Sequence, residues 1–269
     1  MLFPLHDDSP ITCTPLVTYA IVAVNAAAFL GSLRLSPLDR ETLWYGRGFV
    51  PARIAQLVDP RPLEVDVPHP VPNPFRPDLE RVRRIKFEPI PRQILLSLFT
   101  CMFLHGGWLH LIGNMWFLWI FGNNVEDRLG HVAFLLFYLS GGLLASACHW
   151  MIEAQSTTPV IGASGAVATI LGAYAITWPW ARVKTLLFLF VIITIVDLPA
   201  MLVLGAWFLI QLLSATSATN LELGGGVAWW AHVGGFLAGL TLMPALSLLT
   251  GATDGRRDPE GFDLSAWSE

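Results

Sequence analysis

Ser164 and His232 are the two residues of this 269-residue chain whose types and settings could form a nucleophile and its general base. Ser164 lies between Ala163 and Gly165 at the start of a strongly apolar stretch, and His232 lies inside a second such stretch. Polar and ionisable side chains are costly to bury in such segments, so each needs a reason. A glycine-flanked serine alone is more often a packing motif, but together with the histidine it points to nucleophilic catalysis.

A second polar pair has the spacing of an anion site. His110 and Asn114 are four residues apart in an apolar run, so on a helix their side chains share a face. Both can donate to a negatively charged oxygen, and removing one such donor typically costs about 2.7–4 kcal/mol of transition-state stabilisation. The alternative is a hydrogen bond between helices. His105, just before the run, either lines a polar approach to the site or lies at the membrane interface.

The elements that must carry these residues are membrane helices. The chain is 54% hydrophobic and 13% charged, whereas soluble proteins carry about a quarter charged residues. Five apolar runs are long enough to cross a bilayer as helices, near 16–33, 108–125, 131–152, 198–214 and 227–250. A sixth run, 162–179, is more polar and contains Ser164. We therefore predict an all-α polytopic protein with six transmembrane helices.

Two further apolar runs are too short to cross a bilayer. Residues 183–196 are rich in valine and isoleucine, and we predict an interfacial or re-entrant segment there. Residues 94–104 are separated from the second span by Gly106 and Gly107. Neither run changes the predicted number of spans.

The positive charges set an orientation. Eleven of the 16 Lys and Arg residues lie between Arg34 and Arg92, in a connection too long for the positive-inside rule. The other five are Arg128, Arg182, Lys184, Arg256 and Arg257. All five fall on one side if six spans start with the N-terminus inside. Both termini are then cytoplasmic, and Ser164 lies near the external face.

This orientation divides the chain into five parts. They are a short cytoplasmic N-terminus (1–15), the first span (16–33), a long external loop with an interfacial segment (34–107), a core of spans two to six (108–250) and a cytoplasmic C-terminal tail (251–269). The 34–92 region is proline-rich with mixed charges, and we expect it to be ordered, as a surface cap or as a substrate-recognition element. The three cysteines are scattered and indicate neither disulfides nor a metal site. No basic run suggests nucleic acid.

Small residues give a reason for Ser164 and His232 to meet. They recur at four-residue spacing on two predicted helices, as Ser164, Ala168 and Gly172 on one and Ala231, Gly235 and Gly239 on the other. Such faces let two helix backbones approach closely within a membrane. Because His232 borders the second face, close packing would bring its ring toward the Ser164 hydroxyl. A helix that starts at Ser164 would also place backbone N–H groups beside a developing oxyanion.

Four groups of residues in this order resemble the rhomboid intramembrane serine proteases, in particular their six-span bacterial form. The matching features are His105 with His110 and Asn114; Glu126, Arg128 and Gly130; Gly162, Ser164 and Gly165; and Ala231, His232, Gly235 and Gly239. The resemblance runs from about residue 94 to about residue 250, with the predicted first span before it.

The resemblance implies a serine endopeptidase that cleaves membrane-anchored proteins in or beside their transmembrane segments. Ser164 would be the nucleophile and His232 the general base and acid, in a dyad with no acidic third member. Asn114, His110 and the Ser164 backbone N–H would form the oxyanion hole. No metal or other cofactor is implied, and the expected location is the bacterial inner membrane.

Two positions depart from the family pattern. Some rhomboids carry a tyrosine four residues after the nucleophile, packed on the catalytic histidine, whereas this chain has Ala168. His232 must then be oriented by another group, for which Trp229, Trp230 and Phe236 are the nearest aromatic candidates in sequence. A Trp-Arg pair of the family's first loop is also absent, since Leu96 and Ser97 stand there.

Two other functions remain open on the sequence. A non-proteolytic rhomboid-like protein would bind membrane proteins without cleaving them, although such relatives usually lack the serine or the histidine. A metal or proton transporter would use His105, His110 and His232 and would have no need of Ser164. Residues 221–226, a glycine-rich stretch before the last span, are a candidate gate for the protease.

Overall fold

A computed structural model describes residues 2–70, 80–189, 192–221 and 227–250 of the chain. The predicted C-terminal tail (251–269) and most of the candidate gate lie outside the described residues. These described residues are mostly helical, at 65%, and contain two small β-sheets.

The helices follow the apolar runs. They are α1 (Leu16–Ser32), α2 (Pro37–Arg47), α3 (Pro91–Thr100), α4 (Trp108–Leu129), α5 (His131–Ile152), α6 (Ser164–Thr177), α7 (Ala200–Leu221) and α8 (Trp229–Thr250). Short 3-10 helices lie at Pro51–Leu57 and Cys101–Phe103. The strands are β1 (Leu2–Asp7), β2 (Leu63–Pro70), β3 (Glu80–Phe87), β4 (Arg182–Leu189) and β5 (Ile192–Pro199). Each of the six apolar runs predicted as spans therefore forms one helix.

Length and composition single out fewer helices as membrane spans. Within the described residues, His131–Ile152 and Ala200–Ser217 are long and apolar enough to cross a bilayer. The pair Pro91–Phe103 and Trp108–Leu129 would count as a third span if it is taken together, although it bends by 80° at the break that contains Gly106 and Gly107. Leu16–Ser32 and Ser164–Thr177 are apolar but shorter. Six crossings therefore stay a prediction.

The all-α prediction is wrong for the run at 183–196, whose described residues form two strands. Its placement as an interfacial or re-entrant segment stays a prediction. Strands β4 and β5 are antiparallel, and β1 adds to the free edge of β4, from Leu2 opposite Leu187 to Asp7 opposite Val183. Valine and isoleucine favour strands because their branched side chains fit a pleated surface. The N-terminal strand completes the sheet by pairing with the backbone of β4.

The long loop between α1 and α3 is folded over most of its length, as expected. Strands β2 and β3 form an antiparallel hairpin that packs on Val50 through Val65, Val67 and Phe87. Residues 71–79, where three of the prolines occur, lie outside the described residues. A second small hydrophobic core therefore stabilises this segment between α1 and α3.

Helices α6 and α8 pack backbone to backbone, as the two small-residue faces predict. A methyl group at Gly172 would overlap the carbonyl oxygen of Phe236, and one at Gly235 would overlap that of Gly165. Lower in the pair, a methyl group at Gly239 would overlap the carbonyl oxygen of Thr169. The two helices can therefore approach this closely only because these positions carry no side chain.

The turn between α4 and α5 anchors the first helix. Glu126 is fully buried, and its carboxylate accepts hydrogen bonds from the backbone N–H groups of Val17 at 2.8 Å and Thr18 at 2.7 Å. These donors belong to the first turn of α1, where a negative charge is stabilised by the helix dipole. The ring of His131 lies 2.6 Å from the same carboxylate. Glu126 thus has a structural role between helices.

Candidate functional site

Ser164 is the first residue of α6, and it follows a tight turn that contains Gly162. Gly162, two residues earlier, has a φ of +119°, which side chains rarely tolerate. Its backbone N–H donates to the carbonyl oxygen of Cys101 at 2.9 Å. The serine hydroxyl therefore lies at an open helix N-terminus, where backbone N–H groups have no partners within the helix.

The segment between α1 and α3 is hydrogen-bonded to the residues that lead into this turn. Phe49 and Val160 form an isolated antiparallel bridge, with N–H to oxygen distances of 3.0 Å and 2.7 Å. The backbone N–H of Ala52 donates to the carbonyl oxygen of Ser156 at 3.0 Å. Three main-chain hydrogen bonds thus join the loop between α1 and α3 to Ser156 and Val160, shortly before Ser164.

His232 lies in the first turn of α8, beside the serine. Its Nε2 atom is 2.8 Å from the Ser164 Oγ atom. The close contact of α6 with α8 produces this distance. Gly165 follows the serine, and a side chain at Gly235, one turn after His232, would overlap the Gly165 carbonyl oxygen. The separation lies within the range for proton transfer between a nucleophile and its base.

The other ring nitrogen of His232 has a partner that sequence reasoning missed. Its Nδ1 atom lies 2.7 Å from the Oε1 atom of Gln211, a buried residue of α7. The signal was the presence of an amide side chain in an otherwise apolar run. Of the aromatic candidates, Trp229 contacts the ring edge to face at 5.9 Å, and Trp207 of α7 flanks it at 6.1 Å.

His110 and Asn114 border the same turn. A methyl group at Gly162 would collide with His110 Nε2 and would lie 3.7 Å from Asn114 Nδ2, so both nitrogens lie around this glycine. The backbone N–H of Gly106 donates to His110 Nδ1 at 3.4 Å, which makes Nδ1 the unprotonated nitrogen and Nε2 the N–H donor. Asn114 Nδ2 donates to the carbonyl oxygen of His110 at 2.9 Å. That bond uses one N–H of the amide and leaves the second for another acceptor.

His105 lies behind this pair, and its place relative to the membrane interface stays a prediction. Its ring is only 2% exposed and packs edge to face on the ring of His110 at 5.0 Å. Among the described residues, neither of its ring nitrogens has a hydrogen-bond partner. His105 therefore supports the His110 ring by contact.

A small cavity adjoins the serine. It has a volume of about 10 Å³ and is lined by Ser146, Gly162, Ser164 and Ala231, among others. This is about the space that one water molecule needs. In the part of the chain that the structure describes, no group of three or more His, Cys, Asp or Glu side chains is arranged to hold a metal ion.

Comparisons with known proteins give the family. The family described as Rhomboid domain matches residues 92–248, which is more than half of the chain. Rhomboid-like protein 11, chloroplastic, of Arabidopsis thaliana is 33% identical over 57% of this chain and 53% of its own length. RHOMBOID-like protein 5 of the same plant is 28% identical over 71% of this chain and 57% of its own. Presenilin-associated rhomboid-like protein A, mitochondrial, of Danio rerio is 29% identical over 39% and 28%.

The chain matches only part of each of these relatives. The chain spans between about a quarter and somewhat more than half of their length. Two of the three are named for chloroplasts or mitochondria, so they give no support to the bacterial inner membrane as the location. A Rhomboid domain does imply a membrane protein. The match over residues 92–248 and the agreement with these relatives establish that the chain belongs to the rhomboid family.

Proposed function

We propose that this rhomboid protein is an intramembrane serine endopeptidase that uses Ser164 and His232 as a catalytic dyad. The observation that carries the proposal is the 2.8 Å distance between Ser164 Oγ and His232 Nε2. A serine and a histidine that met only through packing would not need their reactive atoms to face each other. A serine hydroxyl is a weak nucleophile until an adjacent base accepts its proton.

The proposed reaction has two steps. Ser164 Oγ bonds to the scissile carbonyl carbon while its proton moves to His232 Nε2. The tetrahedral intermediate then collapses, the C–N bond breaks, and His232 gives the proton to the leaving amine. In the second step His232 takes a proton from water, which attacks the acyl-enzyme. Collapse of the second intermediate releases the new carboxyl group and returns a proton to Ser164.

The negative charge that develops on the carbonyl oxygen would be stabilised by three donors. These are the Nε2–H of His110, the Nδ2–H of Asn114 and the backbone N–H of Ser164. The arrangement of the first two around Gly162 supports this role, as does the Gly106 hydrogen bond that leaves the His110 proton on Nε2. Donors fixed before the reaction need no reorganisation when the charge forms.

The membrane setting determines the substrates that we propose. Helices α1 and α4–α8 would form six spans, with both termini cytoplasmic and Ser164 near the opposite face. The core of spans two to six (108–250) would carry the site, and the 34–107 region would lie outside the membrane or at its surface. Substrates would be membrane-anchored proteins with small or helix-breaking residues near that face, because a regular helix hides its carbonyl groups. The lipid bilayer itself is the other partner.

Replacing one oxyanion donor should slow cleavage strongly. We expect Asn114→Ala to lower kcat for a single-span substrate by about 100- to 1,000-fold, as loss of one oxyanion donor does in other serine proteases. KM should change little, because the donor acts on charge that forms only in the transition state. Asn123→Ala, at the other end of α4, is the matched control and should retain wild-type kcat. Equal rates in the two variants would remove Asn114 from the mechanism.

A covalent probe tests the proposal as a whole. The purified full chain is incubated in detergent with a fluorophosphonate, and the modified peptide is identified by mass spectrometry. We expect the adduct on Ser164 and expect labelling to be lost in His232→Ala, since the serine then has no base. Labelling that is absent from the wild-type protein, in a preparation that still binds membrane proteins, would favour the non-proteolytic binding function instead.

A further inference from the structure

We propose that Gln211 is the positioning residue for His232, so that the site works as a Ser–His–Gln relay in which the third member is an uncharged amide from α7. This inference rests on the proposed function and goes beyond it, because the sequence and the family resemblance imply a dyad without a third member.

The imidazole ring lies between two hydrogen bonds. Gln211 Oε1 is 2.7 Å from Nδ1 on one side, and Ser164 Oγ is 2.8 Å from Nε2 on the other. An imidazole fixed at both nitrogens can neither rotate about its Cβ–Cγ bond nor flip without losing both contacts. The position of Gln211 thus sets the direction in which Nε2 points.

The same contact selects the tautomer that catalysis needs. In a neutral imidazole one nitrogen carries the proton and the other accepts. An amide oxygen can only accept, so its contact with Nδ1 places the proton there and leaves the Nε2 lone pair facing Ser164. The opposite tautomer would present an N–H to the hydroxyl and could not act as a base. In serine proteases with a triad, the carboxylate performs this task.

Packing explains why the group comes from α7. At residue 168, where some rhomboids carry a tyrosine against the histidine, Ala168 is completely buried, and its Cβ lies 3.1 Å from where a Cβ of Gly235 would stand. The close contact of α6 with α8 therefore leaves no room there for an aromatic ring. Gln211 reaches the ring from the other side, with Trp207 one turn earlier on α7 flanking it.

An amide suits this location better than a carboxylate. Gln211 is 7% exposed and lies in a segment of otherwise apolar side chains, where an ionised group would be expensive. A neutral acceptor still fixes the ring without that cost. The plainer alternative is that Gln211 only joins α7 to α8, since polar side chains commonly hydrogen-bond across membrane helices.

Two substitutions of Gln211 distinguish positioning from packing. Gln211→Met keeps the length and volume of the side chain but removes the acceptor, and Gln211→Glu keeps an acceptor oxygen. We expect Gln211→Met to lower kcat by about 10- to 100-fold with KM unchanged, because misplacing a catalytic group by about 1 Å costs up to about 100-fold. Gln211→Glu should recover most of the wild-type kcat per folded enzyme, while burial of its carboxyl group lowers thermal stability. Leu213→Met, an exposed position on the same helix, is the matched control and should behave as wild type.

Rates are measured per folded enzyme on a single-span substrate, together with thermal stability and the rate of fluorophosphonate labelling. If Gln211→Met loses stability but keeps its kcat, or if Gln211→Glu is no better than Gln211→Met, the positioning role is wrong. If wild-type Ser164 is not labelled at all, the proposed protease function fails before Gln211 is in question. Labelled wild type with an unaffected Gln211→Met variant overturns the inference alone.

Discussion

Ser164→Ala is expected to reduce cleavage of a single-span membrane substrate by about 10⁴-fold or more, the scale seen when a serine protease loses its nucleophile. The substitution removes one oxygen atom at an N-terminal helix position and leaves the oxyanion donors in place. Cleavage is followed by the appearance of the two fragments on gels, with enzyme and substrate in detergent and again in lipid vesicles. Protein yield and thermal stability should match those of the wild type.

Ser140→Ala is the control for removing a serine hydroxyl from the same bundle. Ser140 lies on α5, where its hydroxyl donates to the carbonyl oxygen of Phe137 within its own helix at 3.1 Å. This variant should cleave at the wild-type rate. Undiminished cleavage by the Ser164→Ala variant would eliminate the dyad and every role that depends on it, Gln211 included.

The helices of the bundle could be predicted from the sequence because a long apolar run can pair its backbone N–H and C=O groups within itself only as a helix, apart from those of its first and last turns. The strands at 182–199 could not. Their hydrogen bonds are completed by β1, whose Leu2 pairs with Leu187, more than half of the chain away in sequence. A local pattern of valine and isoleucine carries no information about so distant a partner.

The meeting of Ser164 with His232 was predictable for a related reason. Small residues at four-residue spacing indicate which faces of two helices pack closest together. The glycines of α6 and α8 lie at this contact, against backbone atoms of the other helix. The contact of Gln211 with His232 was harder to predict, because α7 has no comparable row of small residues to show which of its faces packs on α8. The bridge between Phe49 and Val160 could not be predicted, because main-chain pairing between two irregular segments does not depend on particular side chains.

The close contact of α6 with α8 leads to the second prediction with a large expected effect. A single methyl group added at Gly239 should strongly reduce cleavage although the residue lies two turns away from the His232 ring. Its Cβ would overlap the carbonyl oxygen of Thr169 and come within 2.7 Å of the backbone N of Ala173. Backbone atoms cannot move aside as a side chain can, so α6 and α8 must separate. We expect Gly239→Ala to lower the free energy of unfolding by about 1–3 kcal/mol, the usual cost of overpacking.

Separation of the helices should also reach the site, because Ser164 and His232 are brought to 2.8 Å by this contact and lie on different helices. A shift of about 1 Å is enough to lower kcat by about 100-fold. The matched control is Gly205→Ala on α7, where no atom lies within 4 Å of the added methyl group. In an exposed helix position that change normally stabilises by up to about 1 kcal/mol. We therefore expect thermal stability to fall in Gly239→Ala and to stay or rise in Gly205→Ala, and we expect only Gly239→Ala to lose cleavage rate. If Gly239→Ala matches Gly205→Ala in both measurements, the backbone contact of α6 with α8 does not set the geometry of the site.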